Sequence, residues 1–203
     1  MALAVSDMSI CQQISPDYLA KKLDLLQNAR AVVCDANIPT ESLAWLAENC
    51  SAPLFCDPVS TVKAEKLRPY LNRIHTLKPN RIEAALLSGI PIQNETDVEK
   101  AAKKLLALGL QRVFISLGGD GMYAATHEGD CWMKNLPCSM VNTTGCGDSA
   151  MAALVWAYLE ELSLEDTVCA ALAAGSITIE SVETISPHMS VELLRERMAA
   201  HKI

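Results

Sequence analysis

Three short stretches of this chain combine residue types that could manage a phosphate group. The first is Asn142-Thr143-Thr144-Gly145-Cys146-Gly147-Asp148, which runs directly into the apolar segment Ser149–Leu159. Two glycines flanking one residue let the backbone come close to a ligand, and a helix start offers unpaired amides at the positive end of the helix dipole. Such a loop can cradle a phosphate. An aspartate at the same turn can orient or deprotonate an attacking hydroxyl while the amides stabilise charge on the group in transit. The plainer alternative is a glycine-rich loop in which Asp148 only caps the helix, a common use of aspartate.

The second stretch is Lys78-Pro79-Asn80-Arg81-Ile82-Glu83, placed at the end of a short apolar run, where open α/β sheets gather ligands. Its Asn80 and Glu83 also have the spacing of a capping box, and both roles are compatible in the first turn of one helix. The third is Ser116-Leu117-Gly118-Gly119-Asp120-Gly121, which follows another apolar run and by itself reads as a tight glycine turn between strands.

The order N-x-x-E, then S-L-G-G-D-G, then T-G-C-G-D resembles the ribokinase-like (PfkB) carbohydrate kinases. That resemblance implies an ATP-dependent phosphotransferase acting on a hydroxyl of a small-molecule sugar or nucleoside, with Mg²⁺ as the accompanying ion. It implies Asp148 as the catalytic base and the backbone of Gly145, Cys146 and Gly147 as the anion hole. Asn80 is then expected near the nucleotide phosphates, and Ser116, Gly118, Gly119 and Gly121 beside the phosphates and ribose of ATP. Glu83 is expected to help place Mg²⁺, mostly through water. The family signature reads D-T-x-G-A-G-D, so Asn142 and Cys146 depart from it. Cysteine for alanine is tolerable because an anion hole uses the amide; asparagine for aspartate removes a charge.

Cys56-Asp57-Pro58-Val59-Ser60, Leu71–Arg81 and Asp35-Ala36-Asn37-Ile38 are similar to the pseudouridine kinase branch of that family, which makes pseudouridine 5'-phosphate. The resemblance covers essentially all 203 residues but only the later part of the family's chain. No G-G-x-x-x-N sugar-binding segment or lid is recognisable before Met1–Asp7. The reading is therefore a single ribokinase-like domain over 1–203, its nucleotide-binding and catalytic portion, with the lid largely absent. Little turnover is expected from this chain alone, and the alternative is a catalytically silent nucleotide-binding fragment.

Positioning these stretches falls to alternating helices and short apolar strands. Leu19, Leu23 and Leu26 recur at helical spacing in 16–28, with Pro16 placed for a first turn. Strands are expected at 31–34, 54–56, 74–77 and 112–116, and helices at 40–49, 61–70, 80–88 and 95–108. A more exposed antiparallel pair is expected at 122–126 and 131–133, then helices at 147–161, 164–180 and 190–200. This alternation argues for an α/β fold: a three-layer αβα arrangement with a mostly parallel sheet, ribokinase-like and N-terminally truncated.

Half of the residues are hydrophobic, enough for a substantial core, and 24 acidic against 17 basic residues give a net charge of -7. That balance opposes nucleic acid and anionic membrane surfaces as partners. The longest apolar run, Ala150–Leu159, is well below the roughly 18 residues of a membrane span, so a cytoplasmic protein is expected; a homodimer fits the same reading. The eight cysteines show neither C-x-x-C nor zinc-finger spacing and read mostly as small core residues in a reducing compartment. His75, His127, His188 and His201 lack partners at ligand spacing and read as structural or surface residues. Trp45, Trp132 and Trp156 read as packing residues. No G-x-G-x-x-G opens a helix after the first strand, which argues against a nicotinamide enzyme.

Overall fold

In the computed structural model, which describes residues 7–201, the apolar runs become six strands. They are β1 Val32–Asp35, β2 Leu54–Asp57, β3 Thr76–Leu77, β4 Arg112–Ser116, β5 Met122–Thr126 and β6 Asp130–Met133, hydrogen-bonded in chain order. Contacts divide the chain within β4 into two units, Met1–Val113 and Phe114–Ile203.

In the first unit β1, β2, β3 and the start of β4 are parallel neighbours, with Asp35 opposite Asp57 and Leu77 opposite Val113. Parallel neighbours need crossover connections rather than hairpins. These are α3 Thr40–Asn49, α4 Thr61–Ala64 with a following 3-10 segment Glu65–Arg73, and the pair α5 Arg81–Ser88 and α6 Glu95–Ala107. The 3-10 segment packs on α3, α4 and α5, and α5 packs on α6, so the connections form one continuous helical layer. Pro69 explains why α4 does not extend: it has no amide to donate and its ring crowds the carbonyl four residues back.

The helix expected over 16–28 is instead two short helices, α1 Pro16–Ala20 and α2 Leu23–Gln27, interrupted at Lys21-Lys22. Ser15 caps α1 by accepting the Tyr18 amide, and α1 packs on α3, burying Leu19. On β1, Val32 is buried whereas Val33 is 53% exposed, so one face of this strand is open.

In the second unit β5 and β6 are antiparallel, as expected, but β5 is buried rather than exposed. The reason is α8 Leu164–Ile179, which packs against both strands. This helix is also covered by α7 Cys146–Leu159 and α9 Val191–His201 and has almost no polar face, the pattern of an internal helix. Ala150, Ala153 and Ala157 form a narrow stripe on α7 and join Val168, Ala170, Ala171 and Ala174 in the core with Phe114, Met122 and Ala124. Thr178 sits in that core without an orphaned hydroxyl: it bonds the Ala174 carbonyl at 3.0 Å and lies 2.6 Å from Ser149 Oγ. Among the described residues no helix is long and apolar enough to cross a membrane.

Candidate active site

The loop Asn142–Gly145 delivers the chain into α7, with Gly145 as the residue before the first helical turn. Gly145 is left-handed (φ +85°), and a Cβ there would stand 2.2 Å from the Thr184 carbonyl oxygen. Only glycine fits, because both the conformation and the space exclude a side chain.

Asn142 holds the same loop from the other side. Its Oδ1 accepts the Thr144 amide at 3.0 Å and its Nδ2 donates to the Val182 carbonyl at 3.2 Å. An ionised aspartate could accept the first bond but not donate the second. The departure from the family signature at this position thus has a local role that an amide alone can fill. Further anchoring comes from the Ile179 carbonyl, which accepts the amides of Val141 and Asn142.

No side chain caps α7. Gly147 and Asp148 are exposed in its first turn, where helix amides have no intrahelical acceptor. The Cys146 amide donates to the Thr143 carbonyl at a long 3.4 Å, and the Ser149 amide to the Gly145 carbonyl at 2.9 Å. Asp148 therefore does not serve as the residue before the helix; it projects from the first turn, at the positive end of the dipole. The Cys146 thiol turns inward to the Gly175 carbonyl, and burial, with Cys138 adding to it, pushes its pKa up. A protonated, inward thiol suits a residue that contributes only its backbone.

The Ser116–Gly121 turn follows β4 within the second unit. Leu117 donates to the Gly121 carbonyl at 2.9 Å, and Asn135 Nδ2 donates to the Gly118 carbonyl at 2.7 Å. At Gly121 (φ +99°) a Cβ would lie 2.1 Å from the Met133 carbonyl oxygen, so this glycine serves the turn itself. Gly118 and Gly119 are exposed with open space around them, leaving backbone that a ligand can approach.

In the first unit the capping box is realised. Asn80 Oδ1 accepts the amides of Ile82 and Glu83 at 2.9 Å, and Glu83 Oε2 accepts the Asn80 amide at 2.9 Å. Glu83 is 2% exposed, and burial pushes its carboxyl up, partly offset by the Asn80 amide. Lys78, also buried, places its ammonium 2.7 Å from Asp57 Oδ2. Asp57 Oδ1 accepts the amide of Val59, a β-branched residue held left-handed at φ +65°.

At the end of β1, Asp35 accepts both the backbone amide and the Nδ2 of Asn37, whose Oδ1 accepts from Lys63 Nζ. The strand ends of the first unit thus carry two tied turns, 35–38 and 57–60, and a capped helix start. Sequence reasoning did not see the Asp57–Lys78 pair; the signal available was an aspartate ending one apolar strand and a lysine directly following the next.

A divalent ion such as Mg²⁺ takes one or two carboxylates plus phosphate oxygens and water. Among the described residues no group of three or more potential metal ligands occurs, and Glu83 and Asp57 are carboxylates at these strand ends.

Comparison with known proteins follows the same lines. The pfkB family carbohydrate kinase profile matches residues 8–190. Pseudouridine kinase of Escherichia coli (strain K12) is 38% identical over 193 residues, covering 94% of this chain and 62% of that protein. A solved structure from Clostridium perfringens, of a proposed sugar kinase, superposes with a TM-score of 0.88 at 32% identity, over 98% of this chain and 64% of that one. Ribokinase from Thermotoga maritima gives a TM-score of 0.82 at 22% identity, over 93% of this chain and 62% of that one, a likeness of fold. The chain thus spans a little over three-fifths of the length of each.

Proposed function

The chain belongs to the pfkB family of carbohydrate kinases, and within that family we propose that it serves ATP-dependent phosphorylation of pseudouridine to pseudouridine 5'-phosphate. The single observation that carries the chemistry is the exposed first turn of α7, with Asp148 beside the amides of Gly145–Gly147 and no side chain capping them.

In this reading the substrate hydroxyl docks against Asp148, which accepts its proton. Phosphoryl transfer passes through a loose transition state, so the proton leaves late and a weak carboxylate base suffices. The α7 amides and dipole stabilise the charge spread over the transferring oxygens. The Ser116–Gly121 backbone, with Gly118 and Gly119 open to approach, faces the nucleotide. Bound Mg²⁺ would supply charge neutralisation on the phosphates, and Glu83 would hold its water shell. Cys146 has no chemical task.

Pseudouridine as acceptor is supported by the 38% identity to the Escherichia coli enzyme and by the Asp57–Ser60 and Leu71–Arg81 segments. The test is ADP formation with pseudouridine, ribose, fructose 6-phosphate and adenosine. It uses this chain joined to the part of the Escherichia coli relative that the match leaves uncovered, with ATP binding measured in parallel. Preference for pseudouridine is expected. Preference for another acceptor would leave a carbohydrate kinase of different specificity, and ATP binding without turnover would leave a silent nucleotide-binding module.

A further inference from the structure

Cys34 and Cys56 occupy paired positions on β1 and β2, and their Sγ atoms lie 3.1 Å apart. Adjacent strands run about 4.8 Å apart, inside the ~4.4–6.8 Å between Cα atoms that a disulfide bridges. Bond formation therefore needs the sulfurs to close by about 1 Å, to the ~2.05 Å S–S length. The other inward thiols are arranged differently: Cys50, Cys146 and Cys169 turn to backbone carbonyls, whereas Cys34 and Cys56 turn to each other. Cys34 is half-buried, on the face of β1 opposite Val33, and Cys56 is buried, so Cys34 is the more accessible of the two.

We propose that Cys34 and Cys56 form a reversible dithiol–disulfide site that takes a small-molecule disulfide as its oxidant. Cys34 is the point of entry. Its thiolate attacks one sulfur of the oxidant RSSR, forming Cys34–S–S–R and releasing RSH once the departing sulfur takes up the proton that Cys34 lost. Cys56 then gives up its proton and attacks Cys34 Sγ; the bond to R breaks and the second RSH leaves with that proton. Two protein thiols are oxidised and one external disulfide is reduced to two thiols, and excess thiol reverses both steps.

The hydrogen bond with Cys34, then burial, push the Cys56 thiol well above its ordinary value, with the charges of Asp57 and Asp35 adding to this. Its full burial beside the half-buried Cys34 makes Cys56 the resolving partner rather than the initial nucleophile. The resulting bridge staples the edge strand to β2 one residue before Asp35 and Asp57, enclosing α3 in the loop.

The experiment treats the whole folded chain with oxidised glutathione, blocks remaining thiols by alkylation and maps peptides by mass spectrometry. Exposed Cys138 serves as the control for reagent activity. The expected result is a Cys34–Cys56 linked peptide lacking two hydrogen atoms, restored by dithiothreitol, and a Tm higher than that of the reduced protein. In Cys56→Ser the glutathione should remain on Cys34. If Cys138 is modified while wild-type Cys34 and Cys56 both stay alkylatable, or if wild-type Cys34 keeps its glutathione, the proposal is overturned. The wild-type map decides the matter even where the variant does not fold.

Discussion

The ammonium of Lys78 sits 2.7 Å from the carboxylate of Asp57, with the lysine side chain 6% and the aspartate 19% exposed. A pair withdrawn from water in this way is costly to break from one side, because the survivor keeps its desolvation cost and loses its partner.

Lys78→Met is therefore expected to destabilise the protein by about 3 kcal/mol, at the low end for a buried pair because Asp57 retains some contact with solvent. Pairing it with Asp57→Asn should recover part of the loss, since the second change removes the stranded charge. Urea unfolding of both variants measures this, and a single variant as mild as an ordinary surface substitution would show that the pair is not buried in solution.

Glu83 makes a pH-dependent prediction. Burial raises its folded-state pKa above the ordinary glutamate value of 4.5, so the native protein binds more protons than the unfolded chain between those two values. Stability from this group is greatest at acid pH and falls as pH rises through that window. Glu83→Gln keeps an oxygen for the Asn80 amide but carries no charge. Relative to wild type it should gain stability as pH is raised from below 4.5 to neutrality. Unfolding curves at both ends test it; a variant that loses ground on raising the pH would mean that the carboxylate is stabilised as the anion.

Gly145→Ala forces a side chain into left-handed backbone and against the Thr184 carbonyl at 2.2 Å. The conformational cost alone is about 1–2 kcal/mol, and the contact requires the 181–185 loop to shift as well. Thermal unfolding should show a loss of about 2 kcal/mol or more, and one below about 0.5 kcal/mol would place the position among ordinary surface sites.

Much of this was legible in the residues themselves. Helix Thr40–Asn49 and strand Arg112–Ser116 have the ends their patterns predict, and the T-G-C-G-D loop opens a helix as its glycines require. Illegible parts depend on the chain returning from a distance. The Asn142–Val182 bond and the Gly145–Thr184 contact join residues about forty positions apart, which no local spacing reports. The burial of Met122–Ala125, a strand expected to be more exposed, is decided by α8 lying on it. Lys78 and Asp57 meet because β2 and β3 are neighbours, a fact of topology. The break at Lys21-Lys22 has no explanation in the contacts of α1 and α2.

Removal of the acceptor proton by Asp148 is tested most directly by kcat for pseudouridine-dependent ADP formation by Asp148→Asn. The measurement is made in the same joined chain, with ATP binding followed separately. Asparagine keeps the shape of the side chain and the first turn of α7 but cannot take the proton. The expected result is a fall in kcat of about 10²–10⁴-fold, the range for loss of a general base, with ATP affinity little changed. Activity within a few-fold of the unsubstituted protein would contradict it and reduce Asp148 to a residue of the helix start.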